Sequence, residues 1–188
     1  MIRIALLILV ALFPVSETAL AFLKRSREQS ATSEDRGSLG LLWLSVAVGV
    51  GLALAAQRFS AFHLPGPPET ARLIALGLLL GGFLVRWAAI LTLGRLFTVD
   101  IAIHEHHAVH QSGLYRYVRH PSYTGLLLTF LGLGVFFANW LSLLALLLPT
   151  GLALVNRVVK EERALLRSLG DDYAAYCRRT RRFIPGLF

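Results

Sequence analysis

Long apolar runs constrain this chain more than any other feature of its sequence. The 188 residues are 55% hydrophobic and only 16% charged, and the mean hydropathy is +0.62. A soluble domain needs a larger polar fraction to cover its surface, whereas about 20 consecutive apolar residues cross the core of a bilayer. The sequence therefore predicts an all-α integral membrane protein.

Five apolar runs predict five transmembrane helices. The runs are Ile4–Leu23, Leu39–Ala56, Ala71–Leu93, Pro121–Phe137 and Trp140–Val155, and Ala138 with Asn139 join the last two into a tight hairpin. The hairpin helices are short for a span, which predicts tilt or bilayer thinning. A turn is expected at His63–Thr70, because its three prolines cannot continue a helix.

The first run has two interpretations. Arg3, the apolar block and the Ala19–Ala21 triplet resemble a secretory signal with a cleavage site. Alternatively, the run is a retained first helix followed by a basic flank, and its whole length favours this interpretation. We therefore expect a retained helix.

The basic residues predict how the helices are oriented. Lys and Arg number 19 against 11 Asp and Glu, for a net charge of +8. Because basic residues favour the cytoplasmic flanks of spans, Lys24–Arg36, Arg95–Arg119 and Arg157–Arg182 are expected in the cytoplasm, with the N-terminus outside. Their clustering beside apolar runs favours membrane lipids over nucleic acid as partners. The single cysteine, Cys177, excludes an internal disulfide.

Two regions are expected. Residues 1–95 form a three-helix membrane region, and residues 96–188 hold a cytoplasmic connector, the hairpin and C-terminal amphipathic helices. Alternation at Val99, Ile101 and Ile103 predicts a short extended segment in the connector. The fifth helix is expected to continue beyond Arg157 to a stop at Gly170, before a short helix along the membrane surface.

The three-helix region carries two unusual features. Ala47, Gly51 and Ala55 lie four residues apart, a spacing that lets helix backbones approach closely, within one chain or between protomers. Arg86 lies inside the third run, where a charge is costly. It is either a snorkelling side chain or a substrate or cofactor contact, and the sequence leaves both open.

Five of the six histidines lie between His104 and His120. His106 and His110 have the helical spacing of a metal pair, but no cysteine or suitable carboxylate completes a four-ligand site, so no metal is predicted. Solvated loop positions account equally well for several of these rings. His120 differs because Pro121 follows it, which places His120 at the entrance of a helix.

A second polar group lies at the end of the last span. Arg157 and Glu161 are four residues apart and can pair on a helix, while Glu162 turns to an adjacent face. An ordinary surface ion pair would contribute little stability. The antiparallel hairpin could instead bring the pair to the His120 helix entrance, where a carboxylate can hold hydroxyls or ammonium and an arginine can orient an anionic acceptor.

Two motifs in this order resemble the isoprenylcysteine carboxyl methyltransferase family and its phospholipid methyltransferase relatives. They are GLYRYVRHPSYTG at Gly113–Gly125 and RVVKEERALLRSLGDDYAAY at Arg157–Tyr176, and the resemblance covers roughly Leu93–Pro185. It implies an integral membrane methyltransferase that uses S-adenosylmethionine, with S-adenosylhomocysteine as product. The implied catalytic residues are Arg157 and Glu161. The implied cofactor pocket comprises His107, Val109, Gly113, Tyr115, His120, Tyr123, Glu161 and Glu162.

The resemblance implies a lipophilic acceptor that enters from the bilayer. An in-line methyl transfer needs alignment and a matched electrostatic pocket rather than a metal. With a carboxylate acceptor, Arg157 would hold it; with a lipid amine, Glu161 or a histidine would help remove the proton. His104, His106 and His110 have no role in this scheme. The alternative function is a small, non-catalytic membrane assembly protein, and the oligomeric state stays open.

Overall fold

Five apolar helices form the protein in a computed structural model that describes residues 1–23, 37–97 and 109–186. The helices are α1 (Ile2–Leu23), α2 (Ser38–Ala56), α3 (Pro68–Leu93), α4 (Pro121–Phe136) and α5 (Trp140–Arg179). Short 3₁₀ turns lie at Ser60–Phe62, Gly94–Leu96 and Gly113–Arg116. The all-α prediction is confirmed, since the described residues contain only isolated β-bridges besides these helices.

Four of the helices, α1, α2, α3 and α5, are long and apolar enough to cross a membrane, and α4 is a shorter apolar helix. The integral, multi-pass architecture is therefore confirmed. The extended segment predicted at Val99–Ile103 and the loop at Lys24–Arg36 lie outside the described residues.

The expected start of α3 was wrong. The helix begins at Pro68 rather than Ala71, so the last prolines of the predicted turn belong to the helix entrance. Proline is suited to the first helical turn, because the amide hydrogen that it lacks has no partner there. The boundaries of α2 and α4 lie within one residue of those predicted.

The hairpin is built at Ala138 and Asn139, as predicted. Ala138 has a positive φ of 48°, and the Asn139 side chain caps α5 by accepting hydrogen bonds from the backbone N–H groups of Leu141 and Ser142. The Asn139 amide also donates to the carbonyl oxygens of Ala56 and Phe59. This one buried side chain thus ends the hairpin turn and holds it against the end of α2.

Helix α5 continues past the bilayer-length apolar part and breaks at Gly170, where φ is 52° and ψ is −125°. This backbone conformation is one that glycine adopts readily. The predicted stop at Gly170 is confirmed. The helical residues beyond it pack on the segment before α4, since the Tyr176 hydroxyl donates to the Tyr115 carbonyl oxygen at 2.7 Å.

Glycines set the closest helix contacts. A methyl group at Gly82 of α3 would lie 2.6 Å from the Thr129 nitrogen of α4, and one at Gly125 of α4 would lie 2.6 Å from the Gly82 carbonyl oxygen. Backbone contact of this kind is how small residues join helices in lipid, where burying apolar surface gains nothing. It fixes the first turn of α4 against α3 beside Arg86.

Ala47 and Gly51, expected to let helices approach within one chain or between protomers, do not make such a contact within this chain. Ala47 and Gly51 are exposed, and Gly51 has open space around it. Helix α2 instead packs on α5 through Gly49 and Ala53, where a methyl group at Gly49 would lie 2.8 Å from the Ala145 carbonyl oxygen. Both faces carry small residues, so spacing alone does not identify the contact face.

Candidate active site

The entrance of α4 holds the buried His120. Its ring stacks on Tyr123, with centroids 5.7 Å apart and an interplanar angle of 17°. Pro121 at the first helical position forces His120 out of the helical region, to φ −125° and ψ 55°. The predicted position of His120 at a helix entrance is confirmed.

Glu162 fixes this entrance to α5. Its carboxylate accepts hydrogen bonds from Arg119 Nε at 2.9 Å and from Arg182 Nη2 at 2.8 Å, and it lies 3.3 Å from His120 Nε2. The bond to Glu162 raises the pKa of Arg182, so that guanidinium stays charged. Three chain segments therefore meet at a single buried carboxylate.

The segment Thr180–Arg182, which we call the C-terminal wall, packs against this helix entrance. The His120 amide donates to the Arg182 carbonyl oxygen at 3.0 Å, and the Arg119 amide donates to the Arg181 carbonyl oxygen at 2.7 Å. Arg119 Nη1 also donates to the Thr180 carbonyl oxygen at 2.6 Å. The sequence analysis did not predict that the C-terminal residues pack against the entrance of α4. The only signal for it in the sequence was the excess of arginines near the C-terminus.

Arg157, Tyr123 and Glu161 form a hydrogen-bonded chain. Arg157 Nε donates to the Tyr123 hydroxyl at 2.9 Å, and that hydroxyl donates to Glu161 Oε2 at 2.9 Å. The predicted helical pair is thus joined through a tyrosine of α4. Arg157 Nη1 also donates to Ser38 Oγ at 3.0 Å, which fixes the guanidinium to the start of α2.

Glu161 is the more open of the two carboxylates. Its side chain is 29% exposed, compared with 10% for Glu162, and its Oε1 lies 3.9 Å from His120 Nδ1. One carboxylate oxygen is held by Tyr123, while the other faces the histidine across a gap. Glu161 can therefore accept hydrogen bonds from a ligand, whereas Glu162 is already engaged by protein groups.

Tyr115 is a buried residue of the 3₁₀ turn that precedes α4. Burial raises the pKa of its phenol, so it stays neutral at physiological pH. Gly113 begins the 3₁₀ turn that carries Tyr115, with a positive φ of 57°. Val109 is half-buried at the edge of the described chain, and His107 lies outside the described residues.

The remaining histidines stay without an assigned function. His110 lies 2.8 Å from Ser112 Oγ through its Nε2, and its ring contacts Tyr115 edge-on at 5.7 Å. His104 and His106 lie outside the described residues. Within the ranges that the structure describes, no three His, Cys, Asp or Glu side chains are grouped as metal ligands would be.

Arg86 does not snorkel. It is only 7% exposed and forms a two-bonded ion pair with Glu17 of α1, while its Nη1 donates to the Ser122 carbonyl oxygen at 3.2 Å. The signal in the sequence for this ion pair was one acidic and one basic residue, each inside an apolar run. Their partnership was missed because 69 residues separate them.

An apolar cavity is lined by Arg157 and Tyr123 and by the Glu17–Arg86 ion pair. Residues from all five helices line it: Phe13, Glu17, Leu39, Leu42, Trp43, Val46, Arg86, Phe97, Tyr123, Leu126, Phe130 and Arg157. Most of the wall is aliphatic or aromatic, with Arg157 and Tyr123 as one polar group and Glu17 and Arg86 as another. This mostly apolar lining with a few polar groups is typical of a site for a lipophilic molecule.

The model of the isoprenylcysteine carboxyl methyltransferase family matches residues 74–167, half of the chain. The chain belongs to this family. The match begins earlier than the resemblance predicted, because it includes most of α3 with Arg86, and it ends before the C-terminal wall.

Named members of the family align with similar parts of the chain. Protein-S-isoprenylcysteine O-methyltransferase B of Arabidopsis thaliana is 34% identical over 106 residues, which are 55% of this chain and 54% of that protein. Protein-S-isoprenylcysteine O-methyltransferase of Schizosaccharomyces pombe is 30% identical over 156 residues, covering 76% of this chain and 66% of that protein. The chain thus spans about half the length of the Arabidopsis relative.

The fold also matches a solved structure. The structure of the eukaryotic intramembrane Ras methyltransferase, isoprenylcysteine carboxyl methyltransferase, superposes with a TM-score of 0.61 and 24% identity, covering 77% of this chain and 52% of that chain. The five-helix arrangement is therefore the membrane fold of this family.

Proposed function

We propose that the protein is an integral membrane methyltransferase that uses S-adenosylmethionine to methylate the carboxylate of a lipophilic, isoprenylcysteine-like acceptor. The observation that carries this proposal is the hydrogen-bonded chain from Arg157 through Tyr123 to Glu161 at a cavity lined mostly by apolar side chains. A fixed cation at the edge of an apolar cavity is suited to hold the head group of a lipophilic acid.

The donor set fits the proposed cofactor. Glu161 is partly exposed and has acceptor capacity for an ammonium or hydroxyls, and the Tyr123 ring offers aromatic surface beside it. The Tyr173 hydroxyl is buried without a hydrogen-bond partner among the described residues, in the helical part that packs behind Tyr115. Bound S-adenosylmethionine would supply an electrophilic methyl group on a sulfonium.

Arg157, Tyr123 and Glu161 then each have a role in methyl transfer that requires no proton transfer. Arg157, fixed by Tyr123 and Ser38, orients the acceptor carboxylate, which is already a nucleophile at neutral pH. Glu161 holds the cofactor, and the apolar cavity keeps water from the reacting atoms. We assign Glu162 to the wall of the pocket, together with His120. Val109, Gly113 and His107 stay predicted contacts of the cofactor.

The orientation is also part of the proposal. The basic C-terminal residues and the active site would face the cytoplasm, and the N-terminus would lie outside. The lipophilic acceptor would enter from the bilayer between the helices.

The test is calorimetric binding of S-adenosylmethionine and S-adenosylhomocysteine to detergent-purified protein, with the Glu161→Ala variant and thermal unfolding as the folding control. We expect binding by the wild type and at least about tenfold weaker binding by a folded variant. Transfer of a labelled methyl group to an isoprenylcysteine acceptor should be lost in Arg157→Ala. A folded protein that binds neither compound would support the non-catalytic assembly function instead.

A further inference from the structure

The arginines around the entrance of α4 divide into two sets. Residues 113–120 and 173–186 contain six arginines and no Asp or Glu. Arg119 and Arg182 donate hydrogen bonds to the buried Glu162 carboxylate. The other four are exposed, and we call them the basic surface: Arg116, Arg178, Arg179 and Arg181. The proposed methyl transfer uses none of these four side chains.

Backbone contacts join the two segments that carry the basic surface. The Arg181 amide donates to the Tyr117 carbonyl oxygen at 3.3 Å, and a parallel β-bridge pairs Arg181 with Val118. Arg116 therefore lies on a segment that is bonded directly to the C-terminal wall. An anionic partner that contacts both segments would hold the wall in its docked position.

Helix α4 places this surface near the membrane boundary. The helix has 16 residues and is about 24 Å long at about 1.5 Å per residue, compared with about 30 Å for the hydrocarbon core of a bilayer. A helix this short draws its flanking residues toward the bilayer. The Thr124 hydroxyl near the start of α4 donates to the Phe183 carbonyl oxygen at 2.8 Å, so the residues after the wall lie level with this entrance. We therefore expect the basic surface at the depth of the lipid head groups.

Exposed apolar side chains accompany the arginines. Tyr117 is 58% exposed and Ile184 is 51% exposed, and each lies within one to three residues of an arginine of the basic surface. A soluble acidic partner would match the charges and leave these apolar side chains in water. An anionic bilayer surface matches both, because arginines bind its head groups while tyrosine and isoleucine reach the edge of its apolar core.

We propose that the basic surface binds the head groups of anionic phospholipids and that these lipids hold the C-terminal wall docked at the entrance of α4. The inference goes beyond the proposed function, and lipid binding does not depend on methyl transfer. Its consequence for the cofactor rests on the proposed function. Because the wall bonds to His120 and Glu162, anionic lipid should strengthen the binding of S-adenosylmethionine.

The first experiment measures lipid preference. Native mass spectrometry of delipidated protein, titrated with phosphatidylglycerol or phosphatidylcholine of the same acyl chains, gives the ratio of their dissociation constants. Each arginine at an anionic membrane surface adds about fivefold in affinity, so we expect phosphatidylglycerol to be preferred at least about tenfold. Arg116→Gln with Arg178→Gln should reduce the preference at least about fivefold. The matched control, Arg3→Gln with Arg58→Gln, removes two exposed arginines at the other end of the bundle and should keep the preference.

The second experiment measures docking of the wall by hydrogen exchange. The amides of Arg119, His120 and Arg181 donate across the contact between the two segments. In nanodiscs of phosphatidylcholine with about 30% phosphatidylglycerol, these amides should exchange at least about fivefold more slowly than in phosphatidylcholine alone. The slowing should persist in the control variant and be lost in Arg116→Gln with Arg178→Gln. S-adenosylmethionine affinity is measured in the same nanodiscs.

Each outcome decides the inference. Equal binding of the two lipids by the wild type, or a preference unchanged in Arg116→Gln with Arg178→Gln, would overturn the lipid site. A lipid preference without slower exchange would overturn the docking role. Slower exchange caused equally by soluble polyglutamate in phosphatidylcholine nanodiscs would assign the surface to an acidic protein segment instead. Lipid-dependent slowing in protein that binds no S-adenosylmethionine would support the inference and overturn the proposed function.

Discussion

At the scale of single residues, Tyr123 combines two functions in one side chain. Its ring stacks on His120, and its hydroxyl joins Arg157 to Glu161. Tyr123→Phe keeps the ring and removes the hydroxyl, so cofactor affinity should stay within about twofold. Methyl transfer should fall about 10- to 100-fold, because Arg157 loses the contact that aligns it. Initial rates measured beside cofactor binding test this, and an unchanged rate would show that the hydroxyl does not align Arg157.

Glu162 should contribute stability rather than catalytic alignment. Glu162→Gln removes the charge that holds Arg119, Arg182 and His120, and loss of a buried partner commonly costs about 3–5 kcal/mol. We expect a lower unfolding temperature and faster tryptic cleavage near Arg179 in the folded protein. Asp172→Asn, at an exposed position of the same helix, is the control. Equal stability of the two variants would contradict this role.

Local patterns predicted some of these residues well. The position of His120 follows from Pro121, and the proximity of Arg157 to Glu161 follows from helical spacing, so both were available from neighbouring residues. The Tyr123 hydroxyl between them depends on how α4 meets α5. The contact of Glu17 with Arg86 depends on two helices far apart in sequence, and no local pattern specifies it.

At the scale of helices, the contact between α3 and α4 depends on glycine. Gly82→Ala would place a methyl group 2.6 Å from both the nitrogen and the Oγ1 of Thr129, so the helices must separate. We expect a loss of at least about 1–3 kcal/mol in the free energy of unfolding. Gly81→Ala is the matched control, because a methyl group there meets nothing within 4 Å. Thermal unfolding of both variants in one detergent is the measurement, and equal destabilisation would contradict the close contact.

The helix positions were more predictable than their packing. Apolar length and proline position determine where a helix can begin and end, which is why the ends of α2 and α4 were close to prediction. Packing faces depend on the partner, and α2 has small residues on more than one face. The contact at Gly49 rather than Gly51 could therefore not be read from spacing.

At the scale of the whole molecule, two clusters of polar contacts lie at opposite ends of the helix bundle. Ser38 and Arg157 meet at the end that carries the candidate active site. His63 and Asn139 form a β-bridge, and the Leu64 amide donates to the Ala138 carbonyl oxygen, at the end formed by the α2–α3 connection and the hairpin turn. Because α2 between them is long and apolar enough to cross a membrane, we expect these two groups on opposite sides of it.

This separation makes the proposed orientation testable. Cys177 is the only cysteine, so Cys177→Ser gives a background for single cysteines at exposed positions. Ser168→Cys lies beyond the apolar part of α5, and Ser60→Cys lies between α2 and α3. Since basic flanks face the cytoplasm, an impermeant maleimide should label Ser60→Cys in intact cells and Ser168→Cys only after the membrane is opened. The reverse pattern would invert the orientation, and would require the cofactor to reach Glu161 from outside the cell.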